Sequence, residues 1–145
     1  QVNDGQPRFV VEKVKQVLGD LNGKKIAALG LAYKSDVDDL RESPASNVVR
    51  LLQGEGAHVQ VWEPFKPGVD MQDIHMASSL EAALSDADLL LLLVRHTEFV
   101  QYDPAEIAAR TRSRLLLDCV NGWNPELWKQ AGFSVFRLGV NKPLS

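Results

Sequence analysis

Apolar and polar residues fall into blocks along the 145-residue chain, and the blocks recur in one order: a short apolar run, a turn, an amphipathic stretch, another turn. The apolar runs cover residues 26–31, 59–63, 89–94, 115–119 and 135–138, with a weaker sixth at 74–77. The runs at 89–94 and 115–117 are continuous rather than alternating. Strands buried on both faces have that look, and such strands belong to parallel sheets covered by helices. The strand-then-helix order predicts an α/β domain: a Rossmann-like open parallel sheet of five to six strands with helices on both faces, preceded by an N-terminal helix.

The helix signals lie between the apolar runs. Ser43-Pro44 reads as an N-cap followed by proline at the first helical position, where the missing N–H is not needed. Val48, Val49, Leu51 and Leu52 supply that helix with an apolar face, and Gly54 or Gly56 ends it. Ser79 caps a short helix carrying Leu80, Ala83 and Leu84, with Glu81 in the first turn, where a negative charge suits the helix dipole. Asp103-Pro104 opens another through Ile107, and Asn124-Pro125 opens one through Trp128 that closes near Gly132. Residues 9–18 form the helix with no strand before it. Val10, Val11, Val14, Val17 and Leu18 are its apolar positions, and Asn22-Gly23 breaks it. Residues 1–23 are therefore set apart, as a docked leader or the tail of something larger, from residues 24–145, which are read as the Rossmann-like domain.

Composition narrows the picture. The chain is 45% apolar, enough for a sizeable core, and carries a net charge of −3. A nucleic-acid binder would show a basic surplus or stripe, and none is present. The single cysteine, Cys119, excludes an internal disulfide framework and fits a reducing, cytoplasmic setting. No apolar run approaches the roughly 20 residues of a membrane span, and no histidine or cysteine cluster has metal-ligand spacing.

In an open parallel sheet, ligands bind beyond the carboxyl ends of the strands, where strand order reverses. The loop after the first apolar run is the informative one. A dinucleotide fingerprint requires G-x-G-x-x-G. Here Gly30 matches, while Ala32 and Ser35 stand at the other two places and the loop is too long for a tight turn. It nevertheless carries Lys34 and Arg41 and runs into a helix start, a combination that suits a diphosphate. The same loop also reads as a solvated charged segment, since Asp36, Asp38, Asp39 and Glu42 surround the two cations. Glu63 ends the second run, where an acid often meets a ribose hydroxyl, and otherwise reads as a surface acid. His96 reads as solvent-exposed and Cys119 as a buried structural thiol. Trp62, Trp123 and Trp128 read as packing residues, with Trp123 a possible pocket edge.

Gly30-Leu31-Ala32-Tyr33-Lys34 followed by Asp38-Asp39-Leu40-Arg41-Glu42-Ser43-Pro44-Ala45 resembles the C-terminal-domain signature of the UDP-glucose and UDP-N-acetylmannosamine dehydrogenase family. Residues 56–64, running Gly-Ala-His-Val-Gln-Val-Trp-Glu-Pro, are similar to the family's second strand, and Val2-Asn3-Asp4 resembles the segment leaving its central helix. The resemblance implies a three-part enzyme: an NAD-binding domain, a central dimerising helical region, and a C-terminal domain that binds the UDP part. The reaction implied is oxidation of a sugar C6 alcohol to a carboxylate, with a catalytic cysteine outside this stretch. Carried over by motif, Tyr33 and Lys34 contact the UDP-sugar, and Arg41 reaches toward NAD across the domain interface. The implied partners are UDP-sugar and the other domains of a parent enzyme that is a homodimer or higher oligomer; the isolated chain is expected to be inactive. Many family members carry a basic residue two positions after the aspartate matching Asp118; Val120 stands there, followed by Asn121, and the N-acetylmannosamine type is the favoured branch.

A reading from another class is a non-catalytic, receiver-like signalling module. A receiver needs an acidic pair at the end of its first strand and a lysine after a later one. Here the first run ends in Gly30, the acids arrive at Asp38-Asp39, and no lysine closely follows residues 115–119.

Overall fold

The computed structural model describes residues 7–32, 34–36, 43–69 and 71–138. Among them, the elements run α1 (Pro7–Leu18), β1 (Lys25–Leu29), α2 (Pro44–Gly54), β2 (His58–Trp62), α3 (Leu80–Leu84) and β3 (Leu89–Leu92). They continue with α4 (Thr97–Val100), α5 (Pro104–Arg110), β4 (Leu115–Asp118), α6 (Pro125–Gln130) and β5 (Ser134–Arg137).

The five strands form one parallel sheet in the order β2-β1-β3-β4-β5. The weak run at 74–77 forms no named strand, yet Met76 makes a parallel bridge with Val61 on the outer edge of β2. Val61 N–H donates to His75 O at 2.9 Å, and Ala77 N–H donates to Val61 O at 2.7 Å. Counting this rudimentary strand as the third, the order reads 3-2-1-4-5-6, which is the Rossmann order. The expectation of five to six strands is met at both ends of its range. Strand order reverses between β1 and β3, which pair from Ile26↔Leu89 to Leu29↔Leu92.

The continuous apolar runs do what their composition requires. Every residue of β3 is 0% exposed, and Ile26 to Leu29 of β1 are all buried. Since successive strand residues point to opposite faces, both faces of the sheet's centre are covered. The proposed caps are present. Ser43 Oγ accepts from Ser46 N–H, Ser79 Oγ from Ala82 N–H, Asp103 from Ala105 N–H, and Asn124 from Glu126 N–H. Helix α1 packs against α2 and sends Val10, Val11 and Val14 into the same core as the sheet. The short α4 has no counterpart among the helix signals. At four residues it is a single turn and too short to show periodicity.

Gly30 has a structural reason as sharp as any caps. Its φ is +96°, and a Cβ there would lie 2.6 Å from Val94 Cβ and 3.2 Å from Phe99 Cε2. The chain leaving β1 therefore passes directly over the end of β3, and only a residue without a side chain lets it do so. We predict that Gly30→Ala lowers stability by about 2–4 kcal/mol, read as a reduced urea midpoint. Gly54→Ala, at a helical glycine with nothing within 4 Å of the added carbon, should shift stability by about 1 kcal/mol or less, in the stabilising direction.

Candidate functional site

The carboxyl ends of β1, β2 and β3 meet around one buried carboxylate. Glu63 follows β2 directly and is 0% exposed. Its Oε1 accepts Leu31 N–H at 2.8 Å and Ala32 N–H at 3.0 Å, and its Oε2 accepts Phe65 N–H at 3.2 Å. His96, also 0% exposed, places Nε2 at 3.0 Å from Oε1 and 2.9 Å from Oε2. The other ring nitrogen, Nδ1, accepts Asp36 N–H at 2.7 Å. Nδ1 therefore carries no proton in this arrangement, so Nε2 carries it and donates to Glu63. Phe65 and Phe99 flank the ring at centroid distances of 4.9 and 5.2 Å. Asp36 extends the chain of bonds. Its carboxylate accepts Thr97 N–H at 2.8 Å and Thr97 Oγ1–H at 2.7 Å, with its backbone in the left-handed region at φ 61°.

Burial opposes ionisation of Glu63, but the bonds from His96, Leu31 and Phe65 outweigh it and hold the carboxyl below the ordinary glutamate range. The bonds from the backbone and side chain of Thr97 likewise lower Asp36. These findings correct two expectations. Glu63 is neither a ribose acid nor a surface acid, because its oxygens are committed within the protein. His96 is not solvent-exposed; it is the link between β2 and the loop after β1. The sequence signal for both was faint: an acid and a histidine standing directly beyond strand ends.

The backbone donors at the start of the first loop are committed too. In a dinucleotide fold the N–H groups after the first strand face a pyrophosphate; here those of Leu31 and Ala32 face Glu63. At the start of α2, Pro44 has no N–H, and Ser46 gives its own to Ser43 Oγ at 3.0 Å. Ser43 in turn donates to Leu31 O at 2.6 Å, closing the base of the loop. The described residues therefore do not fit a dinucleotide at the β1 turn. Lys34 is exposed on this loop and offers an anion side-chain charge. Tyr33 and Arg41, the other two residues expected in the site, lie outside the described residues.

The loop after β4 is built in the same way. Asp118, 2% exposed, accepts Val120 N–H at 3.0 Å, Gly122 N–H at 3.1 Å and Trp123 N–H at 2.9 Å. Val120 is buried. Trp123 is buried as well, stacked on Trp128 at 4.0 Å with its indole N–H on Phe99 O at 2.7 Å, so it packs rather than edging a pocket. Burial and the Asp118 carboxylate push the Cys119 thiol well above its ordinary range, as expected of a structural cysteine. A cavity of about 630 Å³ lies along the outer edge of β2, lined by His58, Gln60, Asp73 and His75 among others. It sits beside that strand rather than beyond the carboxyl ends where the loops converge. Among the described residues, no His, Cys, Asp and Glu cluster could hold a metal ion.

Comparison with known proteins gives the domain a family. The model of the UDP-glucose/GDP-mannose dehydrogenase family, UDP binding domain, matches residues 27–125. The chain belongs to this family. It is 37% identical over 145 residues to the UDP-N-acetyl-D-mannosamine dehydrogenase of Methanocaldococcus jannaschii, covering 98% of this chain and 33% of that protein. It is 41% identical over 115 residues to the protein of the same name from Campylobacter jejuni, covering 75% of this chain and 28% of that one. Among solved structures, the UDP-N-acetyl-mannosamine dehydrogenase Cap5O from Staphylococcus aureus superposes with a TM-score of 0.74 at 28% identity, covering 94% of this chain and 31% of that chain. The chain thus spans about a third of the length of the curated relatives it matches. The family resemblance of the Gly30–Ala45 signature stands, and the receiver-like reading falls with it. The UDP-binding domain has no helix among the described residues that is long and apolar enough to cross a membrane.

The latch around Glu63 has a pH signature. A carboxyl depressed on folding contributes stability that is full above its unfolded value, near 4.5, and is lost as pH falls through the lower folded value. Glu63→Gln keeps one oxygen for Leu31 and Ala32 but turns an amide N–H₂ toward Phe65 and His96, which have no acceptor to offer. We expect it to lower stability at neutral pH by about 2 kcal/mol or more. Its stability should also change less than the parent's between roughly pH 5 and 3, as measured by thermal melts. Parallel pH profiles for the two proteins would rule out Glu63 as the titrating group.

Proposed function

We propose that this chain is the nucleotide-sugar-binding domain of an NAD-dependent UDP-sugar 6-dehydrogenase, with a UDP-N-acetylmannosamine-type substrate. The observation that carries the reading is the exposed Lys34 beside the β1/β3 switch point, within a stretch that matches the family's UDP-binding domain. The names of the relatives from M. jannaschii and C. jejuni support the sugar type. In this reading Tyr33 and Lys34 contact the UDP-sugar, and Arg41 reaches toward NAD held by another domain of a dimeric or larger parent. The committed donors of Leu31 and Ala32 support assigning NAD elsewhere. The catalytic cysteine also belongs to another part of the enzyme, because Cys119 is buried and its thiol is held protonated by its surroundings.

The test is calorimetric titration of the chain with UDP. We expect weak but saturable binding. Lys34→Ala should weaken it by about 10-fold, the effect of removing one charge-assisted bond to phosphate. The isolated 145 residues with NAD and a UDP-sugar should yield no reduced cofactor, since they match about a third of the relatives' length. Absence of UDP binding at high ligand concentration would refute a preformed site.

A further inference from the structure

We propose that Arg95 is a second diphosphate-binding cation, gripping the UDP diphosphate from the β3 side of the crevice while Lys34 holds it from the β1 side. The proposal rests on the UDP-binding reading and adds to it a residue outside the signature that suggested that reading.

Arg95 stands two positions beyond Leu93, whose N–H still donates to Leu29 O at 3.0 Å at the carboxyl edge of the sheet. Its two neighbours are fixed. Val94 is buried against the Gly30 backbone, and His96 is buried between Glu63 and Asp36. The backbone at Arg95 is therefore held on both sides while its side chain is exposed. The aliphatic stem lies along the loop after β4: Arg95 Cγ is 3.5 Å from the place a Cβ on Gly122 would occupy. Leu92 Cδ2 is 3.0 Å from the same point, so a side chain at position 122 would crowd both. Gly122 thus leaves the stem a shelf, and a charged head carried on a packed stem is presented from a defined position.

The charge on that head meets no partner among the described residues. Arg50, Arg110 and Arg112 pair with Asp73, Glu81 and Asp88, and Arg114 donates to backbone carbonyls. Among the described residues, Arg95 and Lys34 make no hydrogen bond or ion pair. Both follow the two strands that flank the strand-order reversal. Residues 118–122 after β4 bring no cation, since Asp118 is committed to its loop, Val120 is buried, and Asn121 and Gly122 are neutral; the next cation on that side is Arg137 at the end of β5. Arg95 brings positive charge to that loop from the β3 side. A guanidinium suits the task because its planar fork can pair two phosphate oxygens at once, where a lysine acts as a point charge.

The test is calorimetric titration of the 145-residue chain and its variants with UDP. Arg95→Ala should bind UDP at least about 10-fold more weakly than the parent, and Arg95→Lys should recover part of the loss. Arg112→Ala removes one positive charge before β4, at the other end of the strands, and should leave affinity within about 2-fold of the parent. Melting temperatures of the Arg95 variants should stay close to the parent's, because the side chain is exposed and makes no hydrogen bond or ion pair with a described residue. An Arg95→Ala affinity within 2-fold of the parent overturns the proposal, as does an equal loss in Arg112→Ala, which would mark a general charge effect. If the parent itself binds no UDP, the domain reading falls and Arg95 with it.

Discussion

A carboxylate with no exposed surface is among the more expensive groups a protein interior can hold, unless hydrogen bonds surround it. Glu63 meets that condition with backbone N–H groups from Leu31, Ala32 and Phe65 and an imidazole N–H from His96. These donors come from segments following β1, β2 and β3, so one side chain fastens three strand ends. The consequence runs outward through His96 to Asp36 and from Asp36 to the first turn of α4. The start of the loop that carries Lys34 is positioned by this chain of bonds. Without the carboxylate, two buried N–H groups and a buried imidazole would all lose their acceptor at once.

The latch also decides how the domain can treat an anion. Dinucleotide folds offer phosphate the N–H groups that follow the first strand and those that open the next helix. In this chain Glu63 takes the first set, while Pro44 and the Ser43 cap account for much of the second. Asp118 does the same for the loop after β4. Backbone donors are turned inward at each of these places, while Lys34 and Arg95 stand exposed beyond the strand ends. A division of labour follows between a rigid, internally satisfied floor and a few exposed cations. It accounts physically for how a Rossmann-like sheet can sit in a dehydrogenase family as the domain for the UDP portion rather than for a dinucleotide.

Much of the fold was legible in the chain. Continuous runs such as residues 89–94 are too apolar for a half-exposed strand, which dictates a parallel sheet covered on both faces. Ser43-Pro44, Ser79, Asp103-Pro104 and Asn124-Pro125 mark helix starts because an oxygen-bearing cap and a proline each solve a local problem that no tertiary contact alters. The Gly30–Ala45 signature named the family, and residues 27–125 match its UDP-binding domain. The candidate site was legible only in part. Lys34 was singled out because it belongs to the signature; Arg95 carries no local mark, since the proposal for it rests on its having no partner among the described residues and on its closeness to Gly122, 27 positions away.

What the sequence determined by itself was therefore local: periodicity, caps, breaks and family signature, each set by residues within a few positions of one another. What only the tertiary structure decided was which polar groups meet. Glu63 lies 33 positions from His96 and 32 from Leu31, and nothing in either neighbourhood shows whether a carboxylate there faces water or two buried N–H groups and an imidazole. An acid and a histidine at strand ends look the same on paper whether they bind a ligand or bind each other. Their fate depends on which strands become neighbours, and that is set by the packing of the whole sheet, since hydrogen bonds are short-ranged and directional while the chain separations they bridge are long.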